Sequence, residues 1–170
     1  MPMRSHVFFF VTAVSAIAGC GINTDPTIFV DASVTEPSVA VEEKALGTAI
    51  KGGFTLSLHL GARAAGSSQI DLKGFQLTSD DQNTIVVDGL PLAATGMIFP
   101  IVVEPDTDED VEITINYGND LVAADVGQKI CMFGSVRFRG AISDSLRGTD
   151  IPVLTDPVQV TGCAAAPPGP

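Results

Sequence analysis

Phe54-Thr-Leu-Ser-Leu-His-Leu60 (FTLSLHL) alternates apolar and polar residues without a break. Successive side chains of an extended strand point to opposite faces. Phe54, Leu56, Leu58 and Leu60 therefore share one face, and Thr55, Ser57 and His59 share the other. The pattern predicts a half-buried β-strand, with one face on a core and one toward water.

Short segments of the same kind flank it, separated by turn residues. Upstream, Ile28–Val34 reads as a first strand closed by Glu36-Pro37. Glu42–Ile50 reads either as one helical turn or as a further strand. Downstream, Gly61 to Ser68 is small and loop-like. Ile70 and Leu72 then hold one parity, while Phe75 and Leu77 hold the other. The slip falls at Gly74 and predicts a β-bulge there. Asp80-Asp81-Gln82-Asn83 and Asp88-Gly89 are turn sequences around Thr84–Val87. Met97–Val103, Val111–Tyr117, Ile130–Arg139 and Val153–Val160 complete the strands. No sustained 3.6-residue periodicity interrupts them. Seven or eight strands at this spacing predict an all-β chain folded as a single antiparallel β-sandwich.

Two stretches connect this expectation to a family. Leu121-x3-Asp125-x-Gly127-x-Lys129-x-Cys131 resembles the turn into strand F of immunoglobulin-like domains. Lys129 stands where that family has its corner tyrosine, and the core tryptophan is missing. Phe99–Ile115 (FPIVVEPDTDEDVEITI) looks like the strand, Pro-rich turn and strand of bacterial immunoglobulin-like surface domains. The resemblance implies an immunoglobulin-like sandwich over roughly residues 50–163.

The chain has 170 residues, enough for one domain with a buried core. Its first 20 residues carry an address. Arg4 precedes an apolar run, Val7 to Ile17, and small residues lead into Cys20. This is the layout of a secretory signal peptide, and the run is too short to span a bilayer. Ile17-Ala18-Gly19-Cys20 resembles the lipobox of bacterial lipoproteins. The resemblance implies that Cys20 becomes the N-terminus and carries lipid on its sulfur. Several acyl chains then hold the protein to a membrane where one gives only marginal binding. Gly21, rather than Asp, follows Cys20 and points to the outer membrane. The expected organisation is a signal peptide over 1–19, a lipidated Cys and short tether over 20–27, the sandwich over 28–163, and a disordered tail over 164–170.

Beyond the signal segment the charge is one-sided: residues 20–170 hold 8 basic and 20 acidic side chains. The net charge of −12 opposes binding to nucleic acid or to anionic lipid. With Cys20 assigned to lipid, Cys131 and Cys163 remain in a compartment where disulfides persist, and they are expected to pair. Placed directly opposite each other, they put Val136 across from Val158 and Ser135 across from Gln159. The hairpin tip then falls at Arg147-Gly148, and the apolar parities agree. Pro152 and Pro157 make the last strand irregular or an edge.

Residues for catalysis are sparse. His59 is the one histidine beyond the signal segment, and its parity places it on a polar strand face. A Ser-His-Asp arrangement or a histidine-based zinc site is not expected. Asp106, Asp108 and Asp110 repeat at the spacing that opens a calcium loop, and they are weak metal candidates. Val111 and Tyr117 stand where such a loop has its Gly and its closing Glu, so a solvated acidic turn is the expectation. No cofactor is implied. The expected function is a non-enzymatic, lipid-anchored envelope module for a protein or glycan partner. A structural accessory subunit of an envelope complex is the alternative, and a hydrolase is the third reading.

Overall fold

A computed structural model describes residues 25–118 and 121–163. The expected signal segment with Cys20 and the expected tail over 164–170 lie outside the described residues. Ten strands and one helix follow in chain order: β1 (Asp31–Lys44), β2 (Gly47–Leu60), β3 (Ser68–Ser79), β4 (Ile85–Val87), β5 (Leu92–Ala94), β6 (Ile101–Val103), β7 (Thr107–Ile115), α1 (Ala124–Phe133), β8 (Ser135–Asp144), β9 (Asp150–Leu154) and β10 (Val158–Thr161). The described residues are all-β apart from α1. The strands hydrogen-bond in the order β4-β3-β8-β10-β1-β2-β7-β5, with β6 added on β3 and β9 on β8. The result is an open, mixed, sandwich-like sheet. Every pairing between these strands is antiparallel except that of β1 with β10, which is parallel.

FTLSLHL forms the last half of β2 and fills the centre. Phe54, Leu56, Leu58 and Leu60 are buried, and Thr55, Ser57 and His59 are not. Phe54 stacks on Phe75 of β3 at 5.6 Å between centroids and meets Phe138 of β8 edge-on at 5.3 Å. The β1-β2-β7 layer and the β3-β8 layer therefore close on one core. Ile70, Leu77, Val103, Ile113 and Ile142 complete it, all fully buried.

The bulge at Gly74 is present. The β3–β8 register slips between Lys73 and Gln76, and Gly74 has φ +58°. Glu36-Pro37 does not close the first strand as expected. It forms a bulge inside β1, where the register against β2 shifts between Thr35 and Ser38. The extra residue moves the inward parity from Ala32 and Val34 to Val39 and Val41, so the apolar face stays on the core. Glu42–Ile50 is a hairpin, with Lys44 paired to Gly47. Met97–Val103 is a strand only from Ile101. Gly96 turns at φ +73° and Pro100 has no amide hydrogen for a ladder, so residues 95–100 form a loop.

The larger correction concerns Ile130–Arg139. Its first part belongs to α1, which ends at Gly134 with φ +66°, a left-handed C-terminal cap. The stretch that resembles a turn into strand F is this helix. Gly127 is what lets α1 approach β2, because a Cβ there would lie 2.5 Å from the Thr48 side chain. The strand begins at Ser135. The expected register holds for Val136 with Val158 and Ser135 with Gln159, but it slips by one residue toward the hairpin, where Arg139 pairs with Leu154 and Ile142 with Ile151. Cys131 itself is not in the ladder. Its disulfide with Cys163, Cα atoms 5.6 Å apart, ties α1 to the chain just after β10. The last segment splits at Thr155–Pro157 into the edge strand β9 and the interior strand β10.

Candidate functional site

The solvent-facing side of β1, β2 and β7 is built in rows, because the three strands are in register. Asp31, His59 and Asp108 form the first row, Ser33, Ser57 and Asp110 the second, and Thr35, Thr55 and Glu112 the third. The acidic stretch expected as a turn is therefore mostly strand. Only Glu104, Pro105 and Asp106 turn the chain, with Asp106 at φ +63°. From Thr107 onward, alternation puts Asp108, Asp110 and Glu112 side by side along one face. An extended strand spaces alternate side chains by roughly 6–7 Å, so it does not wrap them around a cation as a calcium loop does. Among the described residues, no three His, Cys, Asp or Glu side chains are grouped for a metal.

His59 is the centre of the first row. Its Nδ1 lies 2.7 Å from Asp108 Oδ1, and its Nε2 lies 2.7 Å from Asp25 Oδ2. The sequence placed it on a polar face but did not reveal these partners. Asp108 follows from strand register, whereas Asp25 comes from the segment ahead of β1, 34 positions away. An ionised carboxylate only accepts hydrogen bonds, and a neutral imidazole has one N–H. Both contacts are satisfied together only by the doubly protonated ring. Accordingly, hydrogen bonds to Asp25 and then to Asp108 raise the His59 pKa from its ordinary value. In turn, the Thr27 hydroxyl and amide, with the His59 ring, hold Asp25 down at about 2. A hollow of about 140 Å³ beside the ring is lined by Asp31, Ser33, Ser57 and Asp110 among others. Both ring nitrogens face carboxylates rather than Ser33 or Ser57.

Further along the same face lies a groove of about 510 Å³, bordered by Glu36, Lys51, Thr55 and Glu112. Its floor is Gly52-Gly53. A Cβ on Gly52 would lie 2.1 Å from the Ser38 carbonyl oxygen, and one on Gly53 would lie 1.8 Å from that of Ile113. Glycine is thus required for the neighbouring backbones to approach, and the groove follows from its missing side chains.

The segment that carries Asp25 is held a second time. Val30 N–H donates to Asp144 Oδ2 at 3.0 Å, and Asp144 is buried. The same carboxylate accepts from Ser68 Oγ at 2.6 Å and from Leu146 N–H at 2.9 Å. Burial raises its pKa, but the Ser68 hydroxyl and the amides of Val30, Leu146 and Arg147 outweigh that and lower it. Arg147 adds a cation–π contact over Phe29, 5.4 Å from the ring centroid. No protein family, curated protein or solved structure matches this chain.

Proposed function

We propose that the chain is a non-enzymatic envelope lipoprotein, anchored through Cys20, whose β-sandwich presents the β1-β2-β7 face to a protein or glycan partner. One observation carries this reading most directly. The motif Ile17-Ala18-Gly19-Cys20 stands a short way ahead of a disulfide-tied, all-β domain whose first strand begins at Asp31. A lipid on Cys20 would place that domain against the membrane surface, where its partners would meet it.

The polar character of the face supports an interaction role. The rows of Ser, Thr, Asp and Glu offer hydrogen-bonding groups, and the groove over Gly52-Gly53 offers room for an extended polar segment. The imidazole of His59 is engaged by carboxylates on both sides, which supports the non-enzymatic reading. Membership of an envelope complex as an accessory subunit is the second reading.

Crosslinking in intact cells, followed by purification from detergent extract, tests the proposal. Capture of a partner that is lost with Glu36→Arg or Glu112→Arg supports recognition through this face. Stoichiometric recovery of one multi-subunit assembly, unchanged by those substitutions, supports the accessory-subunit reading and overturns recognition through β1-β2-β7.

A further inference from the structure

We infer that the leading half of β1, Asp31–Thr35, is an open strand edge that accepts an extended, basic segment of a partner protein as an added strand. The inference rests on the interaction reading above and gives the partner its chemistry. It begins with where the backbone groups point. On one side this stretch pairs with β2, Asp31 with His59, Ser33 with Ser57 and Thr35 with Thr55. Successive residues of a strand turn their backbone groups to opposite sides. Thr95 N–H donates to the Glu112 carbonyl from the β5 side, so Glu112, Asp110 and Asp108 face away from β2. Followed through the β7–β2 and β2–β1 registers, that alternation turns Asp31, Ser33 and Thr35 toward β2, and Ala32 and Val34 away from it. The two ends of this outer edge are taken. Val30 donates its N–H to Asp144, and its carbonyl accepts from Arg147. Val39 and Ala40 pair with β10. Between these ends, the N–H and C=O groups of Ala32 and Val34 meet no strand among the described residues.

Sheet edges are normally blunted by brevity, by proline or by an inward charge. β4, β5 and β6 have three residues each. β9 carries Pro152 on its outer side, because Thr155 N–H, of the opposite parity, points to Phe138 of β8. β7 turns Glu109 onto the parity of buried Val111 and Ile113. Asp31–Thr35 has none of these guards. Glu36-Pro37 ends the open stretch at the β1 bulge and leaves the residues before it bare. The inward side chains of the stretch, Ala32 and Val34, are uncharged, and the core covers them only in part.

A hollow of about 120 Å³ runs beside this edge, lined by Ala32, Val34, Pro152, Val153 and Leu154. It has room for one aliphatic side chain. An added strand would hydrogen-bond to Ala32 and Val34, seat an aliphatic side chain in the hollow and turn its alternate side chains to the solvent face. On that face the nearest row starts at Asp31 and ends at Asp108. Residues 20–170 hold 8 basic and 20 acidic side chains. Charge complementarity therefore selects Lys or Arg at the alternate positions. A second copy of this chain is disfavoured, because it brings the same acidic surplus to the edge.

The edge needs no lipid, so the test uses the full chain carrying Cys20→Ala. The probe is a short synthetic peptide of alternating Val and Lys. Hydrogen exchange should show the Ala32 and Val34 amides gaining about tenfold protection when the peptide is added, while Val30 keeps its own. Methylating one alternate set of peptide nitrogens should abolish this gain, and methylating the other set should not, because an added strand bonds the edge from one side. Val34→Glu puts a charge on the inward side and should weaken peptide binding about tenfold, whereas binding by charge alone would strengthen. Ala32→Pro, which removes an outward N–H and no ladder bond to β2, is the second variant and should weaken binding likewise. Unchanged exchange at Ala32 and Val34, or binding indifferent to methylation of either set, would overturn the proposal. Protection that rises with protein concentration in the absence of peptide would assign the edge to a second copy and overturn it too. Glu112→Arg lies two strands away and should leave the peptide's effect intact, so recognition through the β1-β2-β7 face is tested separately by the cellular crosslinking and can fail alone.

Discussion

Asp144 and His59 secure the same segment by opposite electrostatic means. Asp144 is buried and satisfied by donors from three parts of the chain: Val30, Ser68 and the turn after β8. Asp144→Ala leaves those donors unpaired in the interior and is expected to cost about 3–5 kcal/mol, read from denaturant midpoints. Its pKa is lowered in the fold, so its contribution is complete above the unfolded value of 3.8 and is lost as pH falls through the folded value. The melting temperature of the wild type should drop below about pH 4, and that of Asp144→Asn should drop less. His59 has a raised pKa, so the sign reverses. Its contribution is complete below 6.5 and disappears as pH rises through the folded value. The His59→Gln protein should lose this alkaline dependence while keeping the acid one. The sequence made His59 legible as a polar strand residue, because alternation is local. Its partner Asp25 was not legible, because no local pattern says where an unpaired segment docks. Gly52 and Gly53 were equally silent. Only the approach of Ser38 and Ile113 shows why neither accepts a side chain, and Gly53→Ala should destabilise by more than about 2 kcal/mol through backbone collision.

At the scale of elements, residue periodicity worked where strands were long and failed where elements were short. β2, β3 with its Gly74 bulge, and the β8–β10 register could be read from alternation and turn residues. β5 has three residues, too few to show any alternation. α1 has ten residues, and its inward positions are Gly127 and Ile130, with Val126 and Cys131 partly buried against the core. Adjoining Ser135–Asp144, that short pattern reads as one longer strand unless Gly134 is taken as a helix cap. Gly134→Ala should cost about 1 kcal/mol, because φ +66° suits glycine. The disulfide, expected across a ladder, instead ties the helix to the sheet. Both arrangements close the same 32-residue separation, so the expected stabilisation is unchanged. Replacing Cys131 and Cys163 together by Ser should cost roughly 2–5 kcal/mol, measured by chemical denaturation with and without reductant. Equal stability in both conditions would show that the bridge does not constrain the unfolded chain.

For the whole molecule, the all-β architecture was legible because Val, Ile, Thr and alternating Leu dominate, and because turn residues recur at short intervals. The bulge at Glu36-Pro37 extends β1 to 14 residues, and the parallel pairing of β1 with β10 joins the two layers. Parallel pairing brings together residues 39–40 and 160–161, a long-range match that no single window of sequence contains. The proposed function depends on a different link, the lipid on Cys20. With it, the acidic first row would stand next to a membrane. Metabolic labelling with an alkyne palmitate analogue tests that link directly. The account predicts that the wild-type chain takes up the label and partitions into detergent, and that Cys20→Ala does neither while retaining the Cys131–Cys163 disulfide. Equal labelling of the wild type and Cys20→Ala would contradict it.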